Sequence, residues 1–126
     1  MIPMFVKKSS TLQIDVYVYE ENSNIEATHE KHTLPKDVQP ETISFTFRRP
    51  NYADSNLILK QFRSGGGADS VDITALQNVA MNTMLVDWTI KDESGQKVAV
   101  NRMNVEALQP AIGRAAALGY LGQIKC

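Results

Sequence analysis

Apolar and polar residues alternate from Thr11 to Tyr19, with Leu12, Ile14, Val16 and Val18 on one side and Gln13, Asp15, Tyr17 and Tyr19 on the other. Period two predicts a half-buried strand. Tyr17 and Tyr19 fall on its more polar face, where tyrosine suits a pleated surface. A second alternating run, Thr42-Ile43-Ser44-Phe45-Thr46-Phe47-Arg48, predicts another strand with Ile43, Phe45 and Phe47 inward. Arg49-Pro50 ends it, because proline cannot donate to a ladder. Between the two, Glu20, Glu21, Glu26, Glu30, Asp37 and Glu41 outnumber Lys31 and Lys36, and Pro35 and Pro40 break regular structure. Residues 20–41 therefore read as a long acidic loop, with room for a short strand around residues 24–29. Loops this long are often functional or mobile. The segment is either an arm that orders on a partner or a plain solvated excursion.

Beyond Pro50 the period changes to that of helices. Asn51 suits an N-cap and Asp54 the positive first turn of a helix over Tyr52–Arg63, with Leu57, Ile58 and Phe62 as its stripe. Ser64-Gly65-Gly66-Gly67 stops it and predicts a flexible joint. Asp72 then caps the longest expected helix, Ile73 to Trp88, with Ile73, Leu76, Ala80, Met84 and Trp88 on one face. Leu76, Ala80, Met84 and Trp88 are expected to pack on the sheet face formed by Ile14, Val16, Phe45 and Phe47. Val79, Leu85 and Val86 widen the apolar arc, so such a helix is central to the domain or covered by a partner. Asp87 falls inside that arc and is expected to reach water from a fraying last turn.

Gly95 marks a turn between Thr89-Ile90-Lys91 and Lys97-Val98-Ala99-Val100, an exposed hairpin. Asn101 caps a short helix through Met103, Val105 and Leu108. Pro110 opens a last helix through Leu118 that Gly119 weakens, leaving a loose tail over residues 120–126. The whole predicts one α+β domain over residues 1–126, a small antiparallel sheet packed against about four helices. Val79, Leu85, Val86, Tyr17 and Tyr19 are its candidate partner-binding residues.

Composition narrows the function. Lysine plus arginine is 13 against 14 for aspartate plus glutamate, and a net charge of −1 gives no electrostatic drive toward nucleic acid or an anionic membrane. No apolar run approaches the roughly 20 residues of a membrane span. The opening Met1-Ile2-Pro3-Met4-Phe5-Val6-Lys7-Lys8 places its basic pair after the apolar stretch, unlike a signal peptide. The single cysteine, Cys126, cannot form an intramolecular disulfide, which fits a reducing compartment. It also lacks a framed base for nucleophilic work.

His29-Glu30-Lys31-His32 lacks the helical zinc-protease spacing, so it offers weak metal binding at most. Gly65-Gly66-Gly67 is neither a phosphate loop nor a dinucleotide fingerprint. Asp92 and Glu93 diverge on a turn and form no acid–base pair. Arg48 and Arg49 beside Phe45, Phe47 and Tyr52 are the best nucleic-acid candidates, set against the plainer reading of strand-end residues anchoring a turn. No enzymatic machinery and no cofactor is expected.

The stretch from Thr42 to Ile112 resembles the small tail assembly chaperones of tailed bacteriophages. The resemblance rests on an alternating strand closed by an arginine and a proline turn, Ile43-Ser44-Phe45-Thr46-Phe47-Arg48-Arg49-Pro50. A helix, a loop and a long helix follow, with a tryptophan segment, Leu85-Val86-Asp87-Trp88. Next come an acidic-glycine turn, Lys91-Asp92-Glu93-Ser94-Gly95-Gln96-Lys97, and a capped short helix leading into Leu108-Gln109-Pro110. Residue 99 is alanine where proline is common in that pattern, and the first strand and acidic loop lie outside it. The resemblance implies a non-enzymatic protein of the host cytoplasm that binds the tape-measure protein or other tail proteins, with no nucleic-acid or membrane partner and self-association left open. The departures leave room for a structural tail or baseplate subunit of the virion. A small nucleic-acid-binding adaptor is the third reading.

Overall fold

The computed structural model describes residues 2–63 and 72–124. Strand β1 (Thr11–Glu21) is the longest of an antiparallel four-stranded sheet ordered β2-β1-β3-β4, with β2 Asn24–Thr28, β3 Glu41–Arg48 and β4 Leu85–Trp88. The helices are α1 (Tyr52–Arg63), α2 (Ile73–Val79), α3 (Arg102–Glu106) and α4 (Pro110–Gln123). This is the α+β architecture that the sequence predicts. The glycine joint at residues 65–67 lies outside the described residues.

The acidic stretch is more ordered in its first part than a loop. β1 continues through Glu21, and β2 returns beside it with Tyr17 opposite Thr28 and Glu21 opposite Asn24. Asn22 and Ser23 both have positive φ, 53° and 67°, as a two-residue type I′ hairpin requires. A 3₁₀ turn at Lys31–Thr33 follows, and residues 34–40 have no helix or strand.

The run expected as one helix, 73–88, divides. Asp72 caps α2 as anticipated, accepting from the Ala75 N–H at 2.9 Å. A π-helical turn at Ala80–Met84 then ends the helix, and Leu85–Trp88 pairs with β3 as β4. Phe47 faces Leu85, Thr46 faces Asp87 and Phe45 faces Trp88, so Val86 is the extra residue of a β-bulge. The bulge puts Leu85 and Trp88 on the same buried side although they are three apart. A regular strand cannot do that, whereas a helix can, which is why the spacing reads as helical.

The core lies between this sheet and the helices. Ile14, Val16, Phe45 and Phe47 join Ala80, Met84 and Trp88 in one buried cluster, as predicted, together with Met81 and Leu85. Leu76 is buried too but outside that cluster, beside Ile58 and Phe62 of α1. Trp88 meets Phe45 edge to face at 6.1 Å and donates from Nε1 to the Val98 carbonyl at 2.7 Å. The far end of the core is closed by α4. Tyr120 is fully buried, stacks on Phe47 at 4.5 Å and donates its hydroxyl to the Arg48 carbonyl at 3.1 Å.

That placement corrects the expected loose tail: residues 120–123 complete α4, and only residues 125 and 126 fall outside the described residues. Gly119 does not weaken the helix. It lets α4 touch the sheet, since a Cβ there would sit 2.6 Å from Ile14 Cγ2 and 3.0 Å from His29 Cβ. The hydrogen-bonded, ring-packed burial of Trp88 predicts that Trp88→Ala destabilises the protein by about 3–5 kcal/mol in chemical denaturation. A variant that unfolds like the parent would show that Trp88 does not close the core.

Candidate functional site

Two turns fix the surroundings of any partner surface. At the β3–α1 joint, Arg48 Nη1 and Nη2 donate to the two Asp54 carboxylate oxygens at 2.9 Å each. Asp54 is 6% exposed and also accepts the Asn51 N–H at 3.1 Å, while its own N–H donates to Asn51 Oδ1 at 2.9 Å. This is a reciprocal helix cap locked by an ion pair. It commits Arg48 to the fold. Phe45 and Phe47 are fully buried, so of the nucleic-acid candidates only Arg49 and Tyr52 remain exposed.

The second turn is the hairpin after β4, bridged at Lys91 and Lys97, with Gly95 at φ 84°. Asp92 Oδ1 accepts from Ser94 Oγ at 2.6 Å and from the N–H groups of Ser94 and Gln96. The Ser94 hydroxyl, followed by the Gln96 N–H, holds the Asp92 carboxyl below its ordinary range. Lys97 does the same for Asp87, whose Oδ1 it meets at 2.6 Å. Asp87 thus sits half-buried and paired on a strand, not in a fraying helix turn.

The five predicted partner-binding residues do not form one site. Tyr17 and Tyr19 are half-buried on the sheet face opposite the core, beside Thr42 and Glu26 respectively. That face is polar: Ser44 Oγ donates to Asp15 Oδ1 at 2.7 Å, and Gln13 Nε2 donates to the same oxygen at 3.1 Å. Val79 is half-buried at the end of α2. Leu85 is a correction. It is buried in the core, because the strand bulge turns it inward, and it is not a surface residue. Val86, the bulge residue, is 47% exposed, and β3 separates β4 from the tyrosines of β1.

Apolar surface lies elsewhere. A groove of about 260 Å³ runs between α1, α2 and α4, lined by Ile58, Leu59, Phe62, Leu76, Leu121 and Ile124. Phe62 was legible as part of the α1 stripe. Leu59 was not, because it stands outside that stripe. Leu121 and Ile124 were expected in a tail. The segment before β1 exposes Ile2, Met4 and Phe5, the last at 90%. His29 and His32 each approach one carboxylate oxygen of Glu30, at 3.4 and 3.3 Å. Among the described residues, no group of three or more histidine, cysteine, aspartate or glutamate side chains is placed to hold a metal ion. Among the same residues, no helix is long and apolar enough to cross a membrane.

No protein-family model matches this chain, and no curated protein or solved structure matches it.

Two measurements follow from the geometry. Leu85→Asp should unfold the protein, since it places a carboxylate in the core, whereas Val86→Asp should melt like the parent. Thermal melts of the pair separate buried from exposed, and equal melts would refute the bulge. The second concerns pH. A carboxyl whose folded pKa is depressed contributes stability above its unfolded pKa, and this is lost as pH falls through the folded value. The hairpin at residues 91–97 should therefore loosen on acidification below the usual aspartate range and not at alkaline pH. Amide exchange at Ser94 and Gln96 reads this, and protection unchanged in acid would contradict it.

Proposed function

We propose that this chain is a non-enzymatic morphogenesis protein of a bacteriophage tail, binding the tape-measure protein or another tail protein during assembly in the host cytoplasm. The observation that carries the reading is the order of elements from Thr42 to Ile112. It comprises a strand closed by Arg48-Arg49-Pro50, a capped helix, a second helix leading to the Trp88 segment, the Asp92–Gly95 turn and a capped short helix before Pro110. The apolar groove between α1, α2 and α4 supports it, because a chaperone must offer apolar surface to shield an apolar partner segment.

A structural tail or baseplate subunit is the second reading, favoured by the short edge strand β2, which no further strand among the described residues covers. The nucleic-acid adaptor loses support, since Arg48 is held by Asp54 and its neighbouring phenylalanines are buried.

Copurification from infected cells followed by mass spectrometry, alongside mass spectrometry of purified particles, tests the proposal. A chaperone is expected with the tape-measure protein in lysates and absent from finished particles. Stoichiometric presence in particles would transfer the assignment to the structural reading. Absence from both would end the tail assignment.

A further inference from the structure

Two features lack a strand partner among the described residues, and their chemistry matches. One is the segment Ile2–Ser9, which has neither helix nor strand and exposes Ile2, Met4 and Phe5 at 76%, 82% and 90%. Its sequence, Met4-Phe5-Val6-Lys7-Lys8, joins apolar residues to two cations. The other is the outer edge of β2. The hairpin joins β1 to β2 through a two-residue loop, so Glu21 and Asn24 form the hydrogen-bonded pair next to the turn. Pairs alternate from there, which leaves the N–H and C=O groups of Ile25 and Ala27 directed away from β1. Ile25 and Ala27 also pack partly against the core, and Glu20, Glu21 and Glu26 gather at this end of the sheet.

We propose that Met4–Lys7 of one copy of this chain adds as a fifth, antiparallel strand on the β2 edge of a second copy. With Lys7 opposite Glu26, Val6 falls opposite Ala27 and Phe5 opposite Thr28. Val6 then lies on the core side of the sheet, continuing the row of Ala27, while Phe5 and Lys7 lie on the polar side. Lys8 falls opposite Ile25, on the same face as Glu20 one strand further in. Charge and apolar pattern match in the same register, and Pro3 lies just beyond the added strand.

The occupant is a second copy because the tether is too short for the same copy. Glu26 is level with Tyr19, and the segment joins the sheet at Thr11. From Thr11 to Tyr19 along a strand is about 26 Å, at roughly 3.3 Å per residue. The four steps from Lys7 to Thr11 span at most about 14 Å when fully extended. Folded back on its own copy, the segment reaches only the edge of β1 over Thr11–Val16, which β2 leaves uncovered. Donor strand and acceptor edge are different surfaces, so each copy offers both, and the contact builds a ring or a filament.

The test uses the purified full chain alone and so stands apart from the tail assignment, which depends on infected cells. Sedimentation velocity should show mass rising with concentration. Lys7→Glu, and separately Glu26→Lys, should each weaken association by about tenfold or more, through like charges set opposite each other. Combining the two reversals should restore it, which a general loss of folding would not do. Ala27→Pro should block association while keeping the β1–β2 hairpin, because its N–H points outward. If that variant unfolds, the charge reversals still decide. Carbodiimide cross-linking of mixed light and heavy protein should join Lys7 to Glu26 between copies. A parent that stays monomeric at its highest soluble concentration would overturn the proposal. So would cross-links confined to one copy, or assembly indifferent to the charge reversals.

Discussion

The rest of the structure depends on the ion pair between Arg48 and Asp54. An aspartate carboxylate that is almost fully buried is tenable only when its charge is met and its lone pairs are used. Arg48 meets both oxygens, and the Asn51 N–H takes a further position on one of them. The same arginine then reaches in two other directions. Its Nε donates to the Thr83 carbonyl in the π-helical turn, and its own carbonyl accepts the buried Tyr120 hydroxyl of α4. The last residue of β3 thus fixes the start of α1, the exit from α2 and the closing end of α4. Without the guanidinium, Asp54 would be a buried charge at a helix start, and α1 would lose its fixed angle to the sheet.

That angle matters because α1 meets the other helices mainly through α2 and the groove. Ile58 is buried, but Leu59 and Phe62 are left partly open along the groove wall, with Leu121 and Ile124 across from them. The groove is therefore a by-product of how the β3–α1 turn aims its helix. Surface on the opposite side of the sheet has a different character: polar, hydrogen-bonded to itself through Asp15 and Ser44, and acidic toward β2.

Much of the fold was legible where one local pattern acted alone. The alternation in β1 and β3, the caps at Asn51, Asp72 and Asn101, and the Gly95 turn are short-range facts of the chain, and each is found in place. Illegible features involve two patterns at once or residues far apart. The β1–β2 turn carries Ser23 at positive φ where glycine would have announced it. Gly119 reads as a breaker because its role, contact with Ile14 and His29, spans the chain. Of the candidate site, Tyr17 and Tyr19 lie half-buried on the polar sheet face that their alternation predicts, Val79 is half-buried, Val86 is exposed and Leu85 is buried. The groove was half visible, since Leu121 and Ile124 count as lining only once α4 is known to continue past Gly119.

The bulge at Val86 carries a lesson about what kinds of change this protein can absorb. A strand keeps time in twos, and the extra residue resets that beat so that Leu85 and Trp88 strike the same side. Many side chains nearby could be exchanged for others of similar size without disturbing the rhythm. Loss of Val86 itself would remove the bulge and set Leu85 and Trp88 two apart, the spacing at which a regular strand keeps both on one side. The positions after it would stay in phase, with the indole ring inward and the Asp87 carboxylate toward water. Divergence in this segment can therefore change its length at the bulge as well as its letters, so long as Leu85 and Trp88 keep their side.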